Sequence, residues 1–252
     1  MKILIKMSFL GTNYNGYQIQ KDRPTIQGTL NSAARDLFGY ECDITGCSRT
    51  DSGVHAKAFY ATVSKKGSDS IGTSIPIEKI ADALNVRLPS DVSVLEAKWV
   101  EDSFHPRYDV VYKEYIYRIY NGDKRDPFEE GRAFYYPMKI SDGDVERMNL
   151  AAKRFCGEHD FASYMASGSK ITDTVRNIKD ASVTRDGDIV TFCVSANGFL
   201  YNMVRIMTGT LLAVAIGKID PEDIDKITAK KSRNAAFATA PSCGLYLNKV
   251  VY

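Results

Sequence analysis

The period of the apolar residues along this chain switches repeatedly between two and about three and a half, and this constrains its fold more than any other feature. Lys2 to Leu10 reads as a strand. A turn rich in glycine and asparagine follows (Gly11, Asn13, Asn15, Gly16). Beyond it Ile26, Leu30, Ala33, Ala34 and Leu37 recur at helical spacing, with Thr25 as N-cap behind Pro24. Strands are predicted over Glu41 to Cys47 and Val54 to Val63, a helix over Ile77 to Val86, and a strand over Val92 to Val100. The remainder repeats the theme. A long strand, Arg107 to Tyr120, precedes a helix from Ser141 to Phe155, paired strands near Ala181 and Val190, a helix from Phe199 to about Ala215, a shorter one after Pro221, and a last strand from Gly244 to Tyr252. The order predicts an α+β chain of two related halves, residues 1–105 and 106–252, sharing one sheet or a tight cleft.

Composition narrows the setting. A chain of 252 residues can bury a sizeable core without staples. Its five cysteines (Cys42, Cys47, Cys156, Cys193, Cys243) include no CxxC pair, which fits a reducing cytoplasm better than a disulfide framework or a zinc site. The longest charge-poor stretch, Ile189 to Gly217, is interrupted by Arg205 and changes from strand-like to helical spacing, which argues against a membrane span. A formal charge of +2 does not by itself require a nucleic-acid partner, so any basic surface must come from local clustering. There is no Gly-rich phosphate loop or dinucleotide fingerprint, and His55, His105 and His159 are scattered rather than at metal-ligand spacing.

The most informative run is Gly46-Cys47-Ser48-Arg49-Thr50-Asp51-Ser52-Gly53-Val54-His55-Ala56, a short polar loop with a central carboxylate between two apolar strands. Loops of this kind commonly hold catalytic groups. If the chain is still extended there, Arg49 and Asp51 point to one face and the guanidinium keeps the carboxylate ionised. On its own the run reads more readily as a surface turn with an incidental ion pair.

The wider sequence decides between these readings. The run resembles the G-R-T-D-A-G-V-H-A signature of tRNA pseudouridine synthases of the TruA type, with Ser48 and Ser52 at positions where that pattern usually has Gly and Ala. Gly11 to Gln20 is similar to the family's Y-x-G-W-Q-x-Q segment, with Tyr17 for the common Trp. Phe104 to Tyr108 resembles F-H-A-R-F, Lys113 to Tyr117 resembles K-x-Y-x-Y, and Gly157 to Phe161 matches G-E-H-D-F. Asn197 to Arg205 matches G-F-L-x-x-M-V-R, and Ala240 to Leu247 matches A-P-x-x-G-L-x-L. All seven stand in the family's order.

The resemblance implies a pseudouridine synthase fold, with two related α+β halves forming a continuous mixed, largely antiparallel sheet flanked by helices around a central cleft. It implies a cytoplasmic homodimer that isomerises uridine at positions 38, 39 or 40 of the tRNA anticodon arm, with no cofactor. Asp51 takes the family's nucleophile position and Tyr115 its active-site tyrosine. Arg205 is implied to pair with Asp51, lowering its pKa and fixing its rotamer. Arg49 helps displace the target base, and Leu245 packs in the pocket against the tyrosine. His105 and Arg107 are weaker candidates for phosphate contacts. From the residues alone Tyr115 reads as a half-buried sheet aromatic, Arg205 as an arginine reaching from an apolar helix to solvent, and Leu245 as a core leucine. A non-catalytic RNA binder on the same scaffold is the alternative, as is a synthase acting on other RNA uridines. A glycoside hydrolase would need a second carboxylate facing Asp51.

Overall fold

Ile3, Leu4 and Ile5 are buried in succession along the first strand, β1 (Lys2–Phe9), and from Lys6 onward half-buried and buried side chains alternate, in the computed structural model, which describes residues 1–169 and 171–252. By its internal contacts the chain forms two units, Met1–Val111 with Leu247–Tyr252, and Tyr112–Tyr246.

In the first unit β1 lies between β3 (His55–Lys65) and β4 (Val92–Val100), antiparallel to both, with Ile5 opposite Ala61 on one side and Ala97 on the other. β2 (Cys42–Gly46) runs antiparallel along β3, pairing Ile44 with Val63. Two helices pack nearby, α1 (Ile26–Phe38) against β2 and α2 (Ile77–Asn85) against β4. Ile3, Ile5, Met7, Ile26, Leu30, Phe59 and Ile80 form the core between helices and strands. The expected start of α1 is correct: the Thr25 side chain accepts from the Gly28 amide, and the helix stops at Gly39, which takes a left-handed φ of 76°.

The second unit orders its strands β5 (Tyr112–Tyr120), β9 (Ile189–Ala196), β8 (Val175–Asp186) and β7 (Gly157–Asp160), each antiparallel to the next. A two-residue strand, β6 (Phe134–Tyr135), pairs parallel with β5, so the strands are mixed but largely antiparallel, as expected. α3 (Asp142–Lys153) packs on β8 and on α4 (Met203–Ala215), and α5 (Asp223–Ala229) follows. Tyr117, Phe155, Phe161, Tyr164 and Phe192 fill the core. No helix among the described residues is long and apolar enough to cross a membrane, and the charge-poor stretch is divided between β9 and α4, which has 13 residues.

β10 (Leu245–Val251) begins in the second unit and ends in the first. Within the first unit the Tyr252 ring meets Tyr60 at 5.3 Å and Phe104 at 5.2 Å, and its hydroxyl donates to the Pro106 carbonyl at 2.8 Å.

α3 opens with a reciprocal cap. The Ser141 hydroxyl accepts from the Asp144 amide at 3.2 Å, and Asp144 accepts from the Ser141 amide at 2.8 Å. Ser141→Ala should cost about 1 kcal/mol of stability, read by chemical denaturation. The Ser141 hydroxyl and amide also hold the Asp144 carboxyl below its ordinary range. A carboxyl lowered by folding stabilises fully above its unfolded value of about 4, and that contribution fades as pH falls through the lowered folded value. The difference between Ser141→Ala and the unaltered protein should therefore shrink below about pH 4.

Candidate active site

Chain geometry in the first unit fixes the carboxylate loop from both ends. Beyond β2 the Cys47 amide donates to the Tyr60 carbonyl at 2.8 Å, and the Val54 amide closes a turn onto the Asp51 carbonyl at 3.1 Å. Arg49 to Asp51 lies outside any strand, but the alternation expected of an extended segment survives: Arg49 is exposed, Thr50 buried and Asp51 half-buried. The Thr50 hydroxyl is turned inward, with no hydrogen-bond partner among the described residues. Segment Gly11 to Tyr17 runs alongside. The Tyr17 amide donates to the Thr50 carbonyl at 3.2 Å, and the Gly53 amide and Ser52 hydroxyl donate to the Tyr14 carbonyl at 3.2 and 3.3 Å. Gly16, at φ 82°, passes so close that an added Cβ would stand 3.2 Å from the Asp51 carbonyl carbon and nearer still to the Thr50 carbonyl oxygen. Only glycine meets both demands.

Tyr17 supports the loop from below. Its ring stacks on Phe59 with centroids 4.5 Å apart, and any Cβ at Gly46 would lie 2.6 Å from that ring. Burial pushes the phenol well above its usual range, and its oxygen has no hydrogen-bond partner among the described residues. Tyr17→Phe removes an unsatisfied polar atom and keeps the ring, so stability should hold or rise by up to about 1 kcal/mol. A loss of that size in a denaturation experiment would mean that the hydroxyl is satisfied.

Tyr115, Arg205 and Leu245 lie in the second unit. Tyr115 lies on the inward face of β5 with Tyr117 and Ile119, and its ring meets Phe199 edge-on at 4.9 Å. Arg205 is half-buried in the first turn of α4, where Nε donates to the Ala240 carbonyl at 2.8 Å and Nη1 donates to the Asn202 side-chain oxygen at 2.7 Å. The Ala240 amide returns a bond of 3.1 Å to the Arg205 carbonyl. This arginine is therefore held across its fork rather than reaching loosely into solvent. The Tyr117 hydroxyl donates to the Pro241 carbonyl at 2.6 Å, so the Ala240–Pro241 segment is tied to α4 and β5 together. Leu245 is buried, one residue beyond Gly244, whose missing Cβ makes room for the Tyr117 ring.

α4 starts at Met203, not at Phe199 as expected, because Asn202 takes a left-handed φ of 58°. That conformation sets Asn202 against the Arg205 guanidinium, a contact that sequence reading missed; the signal was an Asn three residues before the arginine.

The histidines play local parts. His55 is fully buried and its Nδ1 accepts from the Gly11 amide at 3.0 Å. His105 Nδ1 accepts from the Arg107 amide at 3.1 Å, the ring stacks on Tyr108 at 4.2 Å, and Arg107 itself is exposed. His159 shares a 3.0 Å hydrogen bond with the Cys156 carbonyl. No group of three or more metal-binding side chains gathers among the described residues.

Known proteins agree with this pattern of motifs. The family model described as "tRNA pseudouridine synthase" matches residues 5–109 and 151–252. "tRNA pseudouridine synthase A" of Thermoanaerobacter sp. (strain X514) is 42% identical over 252 residues, covering 99% of each chain. The proteins of the same name from Halalkalibacterium halodurans and Acetivibrio thermocellus are each 40% identical, the first over 97% of this chain and 90% of its own, the second over 100% and 99%. A chain of "Crystal Structure of a Cbf5-Nop10-Gar1 Complex" aligns with 97% of this chain and 48% of its own at a TM-score of 0.37 and 13% identity, too weak a likeness to fix a fold. With the family model matched over most of the sequence and full-length relatives at this identity, the chain belongs to the tRNA pseudouridine synthases, a family of isomerases.

Proposed function

We propose that this protein isomerises uridine to pseudouridine at position 38, 39 or 40 of the tRNA anticodon stem-loop, with Asp51 as the catalytic carboxylate. The observation that carries the reading is the Arg49-Thr50-Asp51 loop, pinned by backbone hydrogen bonds on both flanks of Asp51, in a chain of this family. The reaction breaks the N-glycosidic bond and rejoins the sugar to C5 of the base. The C5 proton leaves and N1 gains one, so the balance needs no oxidant or reductant. A fixed carboxylate that engages the sugar or the base holds the fragments in register while the base turns.

In this reading the uridine is flipped from its stack into a pocket faced by Tyr115 and Leu245. Arg49 takes part in displacing the base, and Arg205 pairs with Asp51, keeping it ionised and in one rotamer. The N-terminal half carries the carboxylate loop and the C-terminal half completes the cleft. The protein acts as a cytoplasmic homodimer. Its affinity for tRNA falls as salt is raised, because binding releases counterions from the phosphates.

The test is base-resolution mapping of unmodified tRNA incubated with purified protein and no added cofactor. Pseudouridine at one or more of the three positions supports the reading. Modification only elsewhere moves the substrate, and tRNA binding without any product favours a non-catalytic binder.

A further inference from the structure

We propose that Tyr14 and Asp91 form a positioning strut for the carboxylate loop, setting where Asp51 stands without touching substrate. The inference rests on the reading of Asp51 as the catalytic carboxylate and concerns only the first unit. The Tyr14 carbonyl accepts the Gly53 amide and the Ser52 hydroxyl, which follow Asp51 directly, while Tyr17 of the same segment holds the Thr50 carbonyl that precedes it. The segment from Tyr14 to Tyr17 thus holds the loop on both sides of the carboxylate, with Tyr14 setting the side that follows it.

What fixes Tyr14 is a residue 77 positions away. Its hydroxyl donates to Asp91 Oδ1 at 2.7 Å, a charge-assisted bond, and the ring is buried. Asp91 stands at the entry to β4 and also accepts from the Asn13 side chain at 3.4 Å and, through its backbone carbonyl, from the Leu10 amide at 2.9 Å. A chain of hydrogen bonds therefore runs from the sheet, through Asp91 and the tyrosine, to the amide of Gly53. Burial, with Asp91 second, pushes the Tyr14 phenol up to about 12, so it remains a donor throughout the neutral range.

The opposing view is that the pair merely adds stability. Single-turnover kinetics at saturating enzyme separates the two, because that rate constant does not depend on the fraction of enzyme that is folded. A misplacement of about 1 Å can cost roughly 100-fold, so a loosened loop should cost Tyr14→Phe and Asp91→Ala about 10-fold each. Asp91→Asn keeps an acceptor oxygen and should stay within about 3-fold of the unaltered protein. The double variant Tyr14→Phe with Asp91→Ala should be no slower than the worse single, since both remove one bond. Amide exchange at Gly53 should quicken about 10-fold in Tyr14→Phe, as expected when local opening becomes easier.

An unchanged rate constant in Tyr14→Phe, an unchanged Gly53 amide, or losses that multiply in the double variant would each overturn the strut. If the unaltered protein makes no pseudouridine, the reading of Asp51 fails on that ground. Gly53 exchange then decides the strut alone: faster exchange in Tyr14→Phe keeps it as the anchor of the loop, and equal exchange removes it.

Discussion

Asp51→Ala is expected to lower the rate of pseudouridine formation by at least about 1,000-fold while leaving the protein folded and able to bind tRNA. The backbone carbonyl of Asp51 accepts the Val54 amide, and the neighbouring bonds, Tyr17 amide to Thr50 carbonyl and Gly53 amide to Tyr14 carbonyl, involve no side-chain atom of Asp51. Alanine therefore keeps these backbone bonds of the loop while it removes the carboxylate. A half-buried side chain outside the packed core should change stability by no more than about 1 kcal/mol. Affinity for tRNA should hold or rise slightly, because a negative charge is lost beside a polyanion. Asp51→Asn should be nearly as slow, since the amide matches the carboxylate in size but is no nucleophile. Stopped-time assays with base-resolution mapping read the rate, and filter binding at fixed salt reads the affinity. A rate within 10-fold of the unaltered protein would displace Asp51 from its role.

Gly209→Ala carries the largest expected cost in stability, and its sign is the opposite of what helix propensity suggests. In a helix interior alanine is normally better than glycine by about 1 kcal/mol. Here α4 passes so close to the segment after α5 that a Cβ would lie 3.0 Å from the Ala238 carbonyl carbon and closer again to its oxygen. The obstacle is backbone, so no side chain can swing aside. Overpacking of this kind should outweigh the propensity gain and leave a net loss of about 3 kcal/mol. The displaced residues adjoin Ala240, which exchanges two hydrogen bonds with Arg205, so the guanidinium should lose its setting as well. Denaturant titration with fluorescence detection measures the loss. A protein as stable as the original would mean that the segment yields freely.

Where local chemistry and tertiary demand agree, the elements could be read from residues alone. β4 spans Val92–Val100 as expected, and α1 and α3 start behind Thr25 and Ser141 because a side-chain cap is a local signal. The expected strand from Arg107 is shorter, beginning only at Tyr112. The Tyr108 and Asp109 amides turn back onto the His105 carbonyl, and the His105 ring takes the Arg107 amide, so the stretch after Pro106 is a hydrogen-bonded turn. β7 was invisible because Gly-Glu-His-Asp has no strand signature; it is extended because β8 pairs with it, His159 opposite Arg176. The candidate residues divide in the same way. Arg49 and Asp51 stand in one contiguous motif, whereas the bonds from Asp91 to Tyr14 and from Arg205 to Ala240 join residues 77 and 35 positions apart. Only folding brings such pairs together.

The seat of Tyr252 against Tyr60 and Phe104 has a consequence for biosynthesis. A ribosome delivers Met1–Val111 first, then the whole of Tyr112–Tyr246, and only then Leu247–Tyr252, which belong with the residues made at the beginning. At about 5–20 residues per second, roughly 7–28 s pass in which the nascent first unit lacks its closing segment. During that interval the faces of Tyr60 and Phe104 that Tyr252 will cover remain open to water and to other chains.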